Sequence, residues 1–184
     1  MSKFQRILKF LVCIGLITAF LGCAATKTSQ STGEYVDDTT ITTKVKAAIF
    51  EDPTLKTLQI TVVTFKGEVQ LSGFVDSAQS VTKAGQVARS VKGVTSVKND
   101  LIVKATDASQ STGEYIDDTA ITSKVKTAIL GDPTLKSLQI SVTTRNGVVQ
   151  LSGFVDSAQS VTKAGEVARS IKGVSSVQND LIVK

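Results

Sequence analysis

Three kinds of residue in this chain have side chains suited to chemistry. They are the thiols of Cys13 and Cys23, the adjacent carboxylates Asp37-Asp38 and Asp117-Asp118, and the hydroxyl of Ser72 before Gly73. Their surroundings argue against catalysis. The chain has no His, which removes imidazole acid–base chemistry and most transition-metal sites. Both Cys fall within the first 23 residues, so they belong to targeting and offer no disulfide framework. The paired carboxylates stand where a helix begins, and they suit helix capping better than metal binding. Ser72-Gly73 lies in an alternating strand and lacks the strand–turn–helix elbow of a nucleophilic serine. No glycine-rich phosphate loop is present. These residues predict a non-enzyme that uses no cofactor and no metal.

The two thiols sit in a leader-like segment. Lys3, Arg6 and Lys9 give a basic start, and residues 10–20 form an apolar run. That run is too short for a bilayer span, which takes about 20 apolar residues. The pattern predicts a signal peptide over residues 1–22. Its end, Phe20-Leu21-Gly22-Cys23, resembles the lipobox of bacterial lipoproteins. Gly22 and Cys23 fit that motif, whereas Phe20 and Leu21 stand where it favours Leu and a small residue. The resemblance implies acylation (palmitate) of Cys23, and Ala24 after it implies the outer membrane. A soluble periplasmic protein is the other location this leader allows. Residues 23–34 read as a polar tether, roughly 20 Å end to end if flexible.

The leader also accounts for much of the charge. The formal net charge is +5. Without Lys3, Arg6 and Lys9, 18 basic residues face 16 acidic ones. A nucleic-acid-binding domain keeps a strong basic excess, so nucleic acid is not expected as a partner.

The rest of the chain contains a duplication. Residues 29–104 align with residues 109–184 without a gap, and roughly 60 of 76 pairs are identical. The period is too long for a solenoid, so two tandem domains are predicted, at 35–104 and 115–184, joined by a linker at 105–114. In each, Asp37 and Asp38 cap a helix whose apolar stripe is Ile41, Val45, Ala48 and Ile49. Asp52-Pro53 ends it. Alternation at Leu58, Ile60 and Val62 marks a strand, Lys66-Gly67 a turn, and Val69, Leu71, Gly73 and Val75 a second strand. Ser77 caps a second helix with its stripe at Val81, Ala84, Val87, Ala88 and Val91. Gly93 suits the turn after it, and a last strand covers 97–103. The predicted fold is α+β: helix-strand-strand-helix-strand, with two helices on one face of a three-stranded mixed sheet.

Each unit resembles a BON domain, a module of bacterial envelope proteins. The residues that carry the resemblance in the first unit are Asp37, Asp38 and Ile41; Gly67 with Val69, Gln70, Leu71, Ser72 and Gly73; and Gly93, Val94, Val97, Asn99, Asp100 and Leu101. The second unit repeats them at Asp117, Asp118 and Ile121; Gly147 with Val149, Gln150, Leu151, Ser152 and Gly153; and Gly173, Val174, Val177, Asn179, Asp180 and Leu181. The layout is similar to that of dual-BON periplasmic proteins, both osmotically inducible soluble ones and outer-membrane lipoproteins. The resemblance implies non-enzymatic membrane attachment, anionic phospholipid as ligand, and a role in envelope integrity under stress.

Two surfaces are candidates for binding. On the first helix of each unit, Lys44 and Lys46 with Phe50, and Lys124 and Lys126 with Leu130, pair basic residues with an apolar tip. That combination suits an anionic membrane surface, where each Lys contributes about 1 kcal/mol. The second helix offers Lys83, Arg89 and Lys92 on the same argument with less apolar help. The other surface is the sheet face away from the helices, to which alternation directs Phe74 and Phe154. There they either pack against a neighbouring domain or under a loop, or form an exposed contact. The exposed contact would make the protein an adaptor docking an envelope partner.

Overall fold

A computed structural model of the protein describes residues 37–55, 58–104, 117–135 and 139–184. In the first repeat Asp37 leaves the helical backbone region, and its carboxylate accepts the Thr39 N–H at 3.3 Å. This caps helix α1, Asp38–Glu51. Ile41, Val45 and Ile49 recur every four residues, so α1 buries one stripe and exposes the rest. The helix stops at Asp52 because Pro53 pushes the residue before it into extended backbone.

Strands β1, Gln59–Phe65, and β2, Glu68–Val75, then pair antiparallel. Their two-residue turn has φ of 50° at Lys66 and 77° at Gly67. Two successive positive φ values match the twist of a hairpin. Ser77 accepts the Ser80 N–H at 3.1 Å and starts helix α2, Ala78–Ser90. Strand β3, Ser96–Val103, pairs parallel with β2, giving the order β1-β2-β3. A parallel pair requires a crossover, and α2 is that crossover. The second repeat gives α3 (Asp118–Gly131), β4 (Gln139–Arg145), β5 (Val148–Val155), α4 (Ala158–Arg169) and β6 (Ser176–Val183), with the same pairing.

Both helices of a repeat cover one sheet face. Between them lie Val62, Val69, Leu71, Val75 and Leu101. Helix α2 approaches closely because it presents Ala84, Gly85 and Ala88. Asn99 then donates its Nδ2 to the Val81 carbonyl at 2.7 Å, and a Cβ at Gly85 would lie 2.9 Å from that nitrogen. The closing Asn-Asp-Leu signature is thereby explained: Asn99 fastens β3 to α2, and Leu101 enters the core.

The opposite face of β2 has no helix over it, yet Gln70, Ser72 and Phe74 are all buried. What covers it is the matching face of β5. Ser72 Oγ meets Ser152 Oγ at 2.7 Å. The Gln70 carboxamide accepts the Gly153 N–H at 2.8 Å and donates to the Asp180 carbonyl at 2.7 Å. Gln150 returns both bonds, to the Gly73 N–H at 2.8 Å and the Asp100 carbonyl at 2.7 Å. Each carboxamide also donates within its own repeat, Gln70 to Asp100 at 2.8 Å and Gln150 to Asp180 at 2.7 Å. Asp100, the middle residue of the closing signature, thus serves the sheet–sheet contact.

Glycine is required at the middle of each central strand. Gly73 has φ of 123°, and a Cβ there would stand 2.3 Å from the Gln59 carbonyl oxygen. Its unusual backbone turns the N–H toward Gln150.

Two sequence-based expectations need correction. Phe74 and Phe154 do not form an exposed partner surface, for they are only 8% and 6% exposed. The physical reason is that each sheet hides its second face against the other copy. Nor do Asp37 and Asp38 both cap α1. Asp38 reaches across to the hairpin, where its oxygens accept the Lys66 and Gly67 N–H groups at 2.7 and 2.8 Å. Asp118 does the same for Asn146 and Gly147 at 2.7 and 2.9 Å.

Candidate functional site

The sheet–sheet contact leaves a cleft on each side, related by the internal duplication. One wall of the first cleft is the polar side of α1, with Thr39, Thr42, Thr43 and Lys46; its floor is Val63 and Phe65 of β1. The other wall comes from the second repeat, through Gln139, Phe154, Asp156 and Lys184. The volume is about 690 Å³. The second cleft, about 660 Å³, has Thr119, Thr122, Ser123 and Lys126 of α3, Thr143 and Arg145 of β4, and Gln59, Phe74 and Lys104 of the first repeat. Each helix is fastened to its floor by a hydroxyl pair, Thr42 to Thr64 and Thr122 to Thr144, both at 2.7 Å.

The clefts differ in the side chains of their floors. In the first, Phe65 and Phe154 rings pack with centroids 5.4 Å apart. Lys184 lies 5.3 Å from the Phe65 centroid and pairs with Asp156 at 2.9 Å. Lys66 covers the same ring at 5.3 Å. In the second, Arg145 stands at the position of Phe65 and Thr143 at that of Val63. Lys104 there pairs with Asp76. The acids in the α1 and α3 walls, Asp38 and Asp118, spend their oxygens on the hairpin amides.

The helix-one candidates separate in space. Lys46 and Phe50 are four residues apart and share a stripe, around a small apolar notch of about 120 Å³ that includes Ile49 and Leu58. Lys44 is two residues from Lys46, about 200° around the helix, and is exposed on another side. The same spacing joins Lys126 to Leu130 and sets Lys124 apart. Phe50 is 70% and Leu130 61% exposed, and with Val103 and Val183 they are the large apolar side chains standing in solvent among the described residues. On the second helices, Lys83 pairs with Asp52 at 3.5 Å and Lys163 with Asp132 at 3.9 Å. The Thr54 hydroxyl, at 2.6 Å, and the Thr54 N–H, at 2.9 Å, hold the Asp52 carboxyl below its ordinary value of 3.8. Thr134 lowers Asp132 in the same way. Cys23 lies outside the described residues.

Sequence reasoning had not singled out Arg145, Lys104 or Lys184. A signal existed: half of the residues at 59–68 differ from their counterparts at 139–148, a stretch that contains β1 and its hairpin. The strand that follows is identical in both copies from Val69 to Val75.

The fold and its signature residues match one known domain. The family model for the BON domain fits residues 37–105 and again residues 117–184. The chain belongs to the BON-domain family. Its two BON domains are similar to three curated proteins over most of their length. Osmotically-inducible protein Y of Escherichia coli strain K12 is 44% identical over 153 residues, covering 83% of this chain and 75% of that protein. The outer membrane lipoprotein DolP of Haemophilus influenzae is 30% identical over 169 residues, covering 89% and 86%. The 21 kDa hemolysin of Actinobacillus pleuropneumoniae is 32% identical over 149 residues, covering 80% and 75%.

Proposed function

We propose that this BON protein is a non-enzymatic envelope lipoprotein that binds anionic phospholipid at the periplasmic membrane surface. Its role is to support outer-membrane integrity and tolerance of osmotic or envelope stress. The observation that carries the reading is the exposure of Phe50 and Leu130, each on one stripe with a lysine. A solvent-exposed Phe or Leu gains about 1.5–3 kcal/mol when its side chain leaves water. Lys46 and Lys126 add about 1 kcal/mol each at an anionic surface, and Lys44 and Lys124 contribute less directly from their other stripe. One domain alone would therefore bind weakly. An acyl anchor on Cys23 would raise the local concentration of the domains near the leaflet to roughly the mM range. The similarity to an osmotically inducible protein and to an outer membrane lipoprotein supports the same location and role.

Co-sedimentation with vesicles tests the lipid reading. The protein should bind vesicles containing anionic phospholipid, bind purely zwitterionic ones less, and release as salt rises. Phe50→Ser combined with Leu130→Ser should remove most of the binding. An absence of binding to anionic vesicles at low salt would overturn the proposal. Mass analysis of the membrane-extracted protein tests the anchor: acylated Cys23 and loss of residues 1–22 are expected.

A further inference from the structure

The clasp between the two sheets is built from residues that are the same in both repeats. Residues 69–75 return unchanged at 149–155, and Asp100 returns as Asp180. The bonds are reciprocal. Each Gln carboxamide accepts a glycine N–H of the other repeat and donates to that repeat's Asp carbonyl. Ser72 meets Ser152, its own counterpart. A face that binds its own duplicate is self-complementary, as at an isologous dimer interface. The first repeat therefore carries every group needed to clasp the first repeat of another molecule, and the second repeat likewise. The residues that differ at the edges of the contact do not oppose such an exchange. A closed chain sets Phe65 against Phe154 and places Arg145 in one cleft with Phe74. Two molecules clasped first to first and second to second contain the same set as two closed chains, each Phe65 beside a Phe and each Arg145 in a cleft with one. The ion pairs Lys104–Asp76 and Lys184–Asp156 lie within single repeats and travel with them.

We propose that the clasp face is a docking surface for another molecule of this same chain, joined like repeat to like repeat. The connection at 105–116 keeps the internal partner at an effective concentration of roughly the mM range, so the closed chain dominates in dilute solution. That local concentration is its advantage, since the contacts themselves are matched. Pairing between molecules becomes comparable as the protein approaches the same concentration. Phe50 and Leu130 stay in solvent in such a pair, because their helices pack on the sheet faces opposite the clasp.

Disulfide trapping tests the pairing, in the full chain with Cys13→Ser and Cys23→Ser so that no native thiol remains. The Ser72 and Ser152 oxygens are 2.7 Å apart, so thiols at such facing positions come within reach of a bond of about 2.05 Å. In a closed chain Ser72→Cys alone has no thiol opposite it; in a like-to-like pair it has one. Ser72→Cys should therefore give a disulfide-linked dimer, and so should Ser152→Cys. Ala84→Cys, buried on the helix side of the sheet, reports unfolding and should stay monomeric. Gln70→Leu breaks the clasp of the first repeat and releases the second with its face intact. It should lower the Ser72→Cys crosslink severalfold and raise the Ser152→Cys one. In sedimentation of the wild type, the dimer-to-monomer ratio should rise about tenfold per tenfold increase in concentration below the mM range. No crosslink from either Ser variant at ~1 mM protein, or equal crosslinking of Ala84→Cys, overturns the proposal. So does a dimer that links only mixed Ser72→Cys and Ser152→Cys chains, which is an exchange of unlike repeats. Phe50→Ser with Leu130→Ser should leave the crosslinks unchanged, so this inference and the membrane reading fail separately.

Discussion

Ser72 and Ser152, the same position in the two copies and 80 residues apart in the chain, meet hydroxyl to hydroxyl at 2.7 Å in the buried centre of the molecule. A residue that touches its own counterpart lies on the axis relating the two copies. Around that point the Gln70 and Gln150 carboxamides cross in opposite directions and satisfy each other's backbone. The contact is polar and tightly specified. It also supplies what a domain of this size lacks, since a core below about 70–80 residues seldom provides more than ~3–5 kcal/mol.

Gln70→Leu should uncouple the domains. It leaves the Gly153 N–H and the Asp180 carbonyl without their partner. Each buried unsatisfied group costs about 1–3 kcal/mol. Thermal unfolding should shift down and broaden, and amide exchange at Gly153 should accelerate. A sharp transition at the wild-type temperature would show that the domains do not depend on the clasp.

The two adjacent aspartates should behave unequally. Asp37→Ala removes one exposed cap bond, worth about 0.5–2 kcal/mol. Asp38→Ala removes two bonds that hold the Lys66-Gly67 turn, and hydrogen bonds to a charged group contribute about 1.5–3 kcal/mol each. Denaturant titration should therefore rank Asp38→Ala as the more damaging, with Asp38→Asn between them.

Gly73→Ala should be among the most destabilising single-methyl additions in the chain. Its φ of 123° is strained for any other residue, and the added Cβ meets a backbone oxygen at 2.3 Å. The expected cost exceeds about 1–3 kcal/mol, read from the denaturation midpoint, or the protein fails to fold. Gly131→Ala, where nothing lies within 4 Å, should be tolerated.

Acid should loosen the turns after α1 and α3. Asp52 and Asp132 have folded pKa values below 3.8, chiefly through the Thr54 and Thr134 hydroxyls. The contribution of such a group is present above the unfolded pKa and is lost as pH falls through the depressed folded value. Thr54→Val should return the Asp52 pKa toward 3.8, measured by carboxyl NMR titration, and should reduce the sensitivity of that turn to acid.

How far the sequence reaches depends on how local the cause is. The elements were legible because their causes lie within a few residues: the Asp37 cap, the Pro53 stop, the alternation of β2 and the paired positive φ at the hairpin. The core face was legible for the same reason. The role of Asp38 was not, because its partners are 28 and 29 residues away. The burial of Phe74 and Phe154 was not fixed either, since period-two alternation says which face a residue takes and not what covers that face. The clefts were invisible in the same way. Arg145 is one polar residue at a strand end until the other copy places Lys104 in the same cleft.

By itself, then, the sequence determined two α+β BON domains and the buried stripe of each helix. These follow from short-range sterics and hydrophobic periodicity. The tertiary structure alone decided that the two sheets close on each other through Gln70, Ser72, Gln150 and Ser152, and that Arg145 lines a cleft between them. Those outcomes depend on contacts 50 to 110 residues apart, which no local pattern encodes.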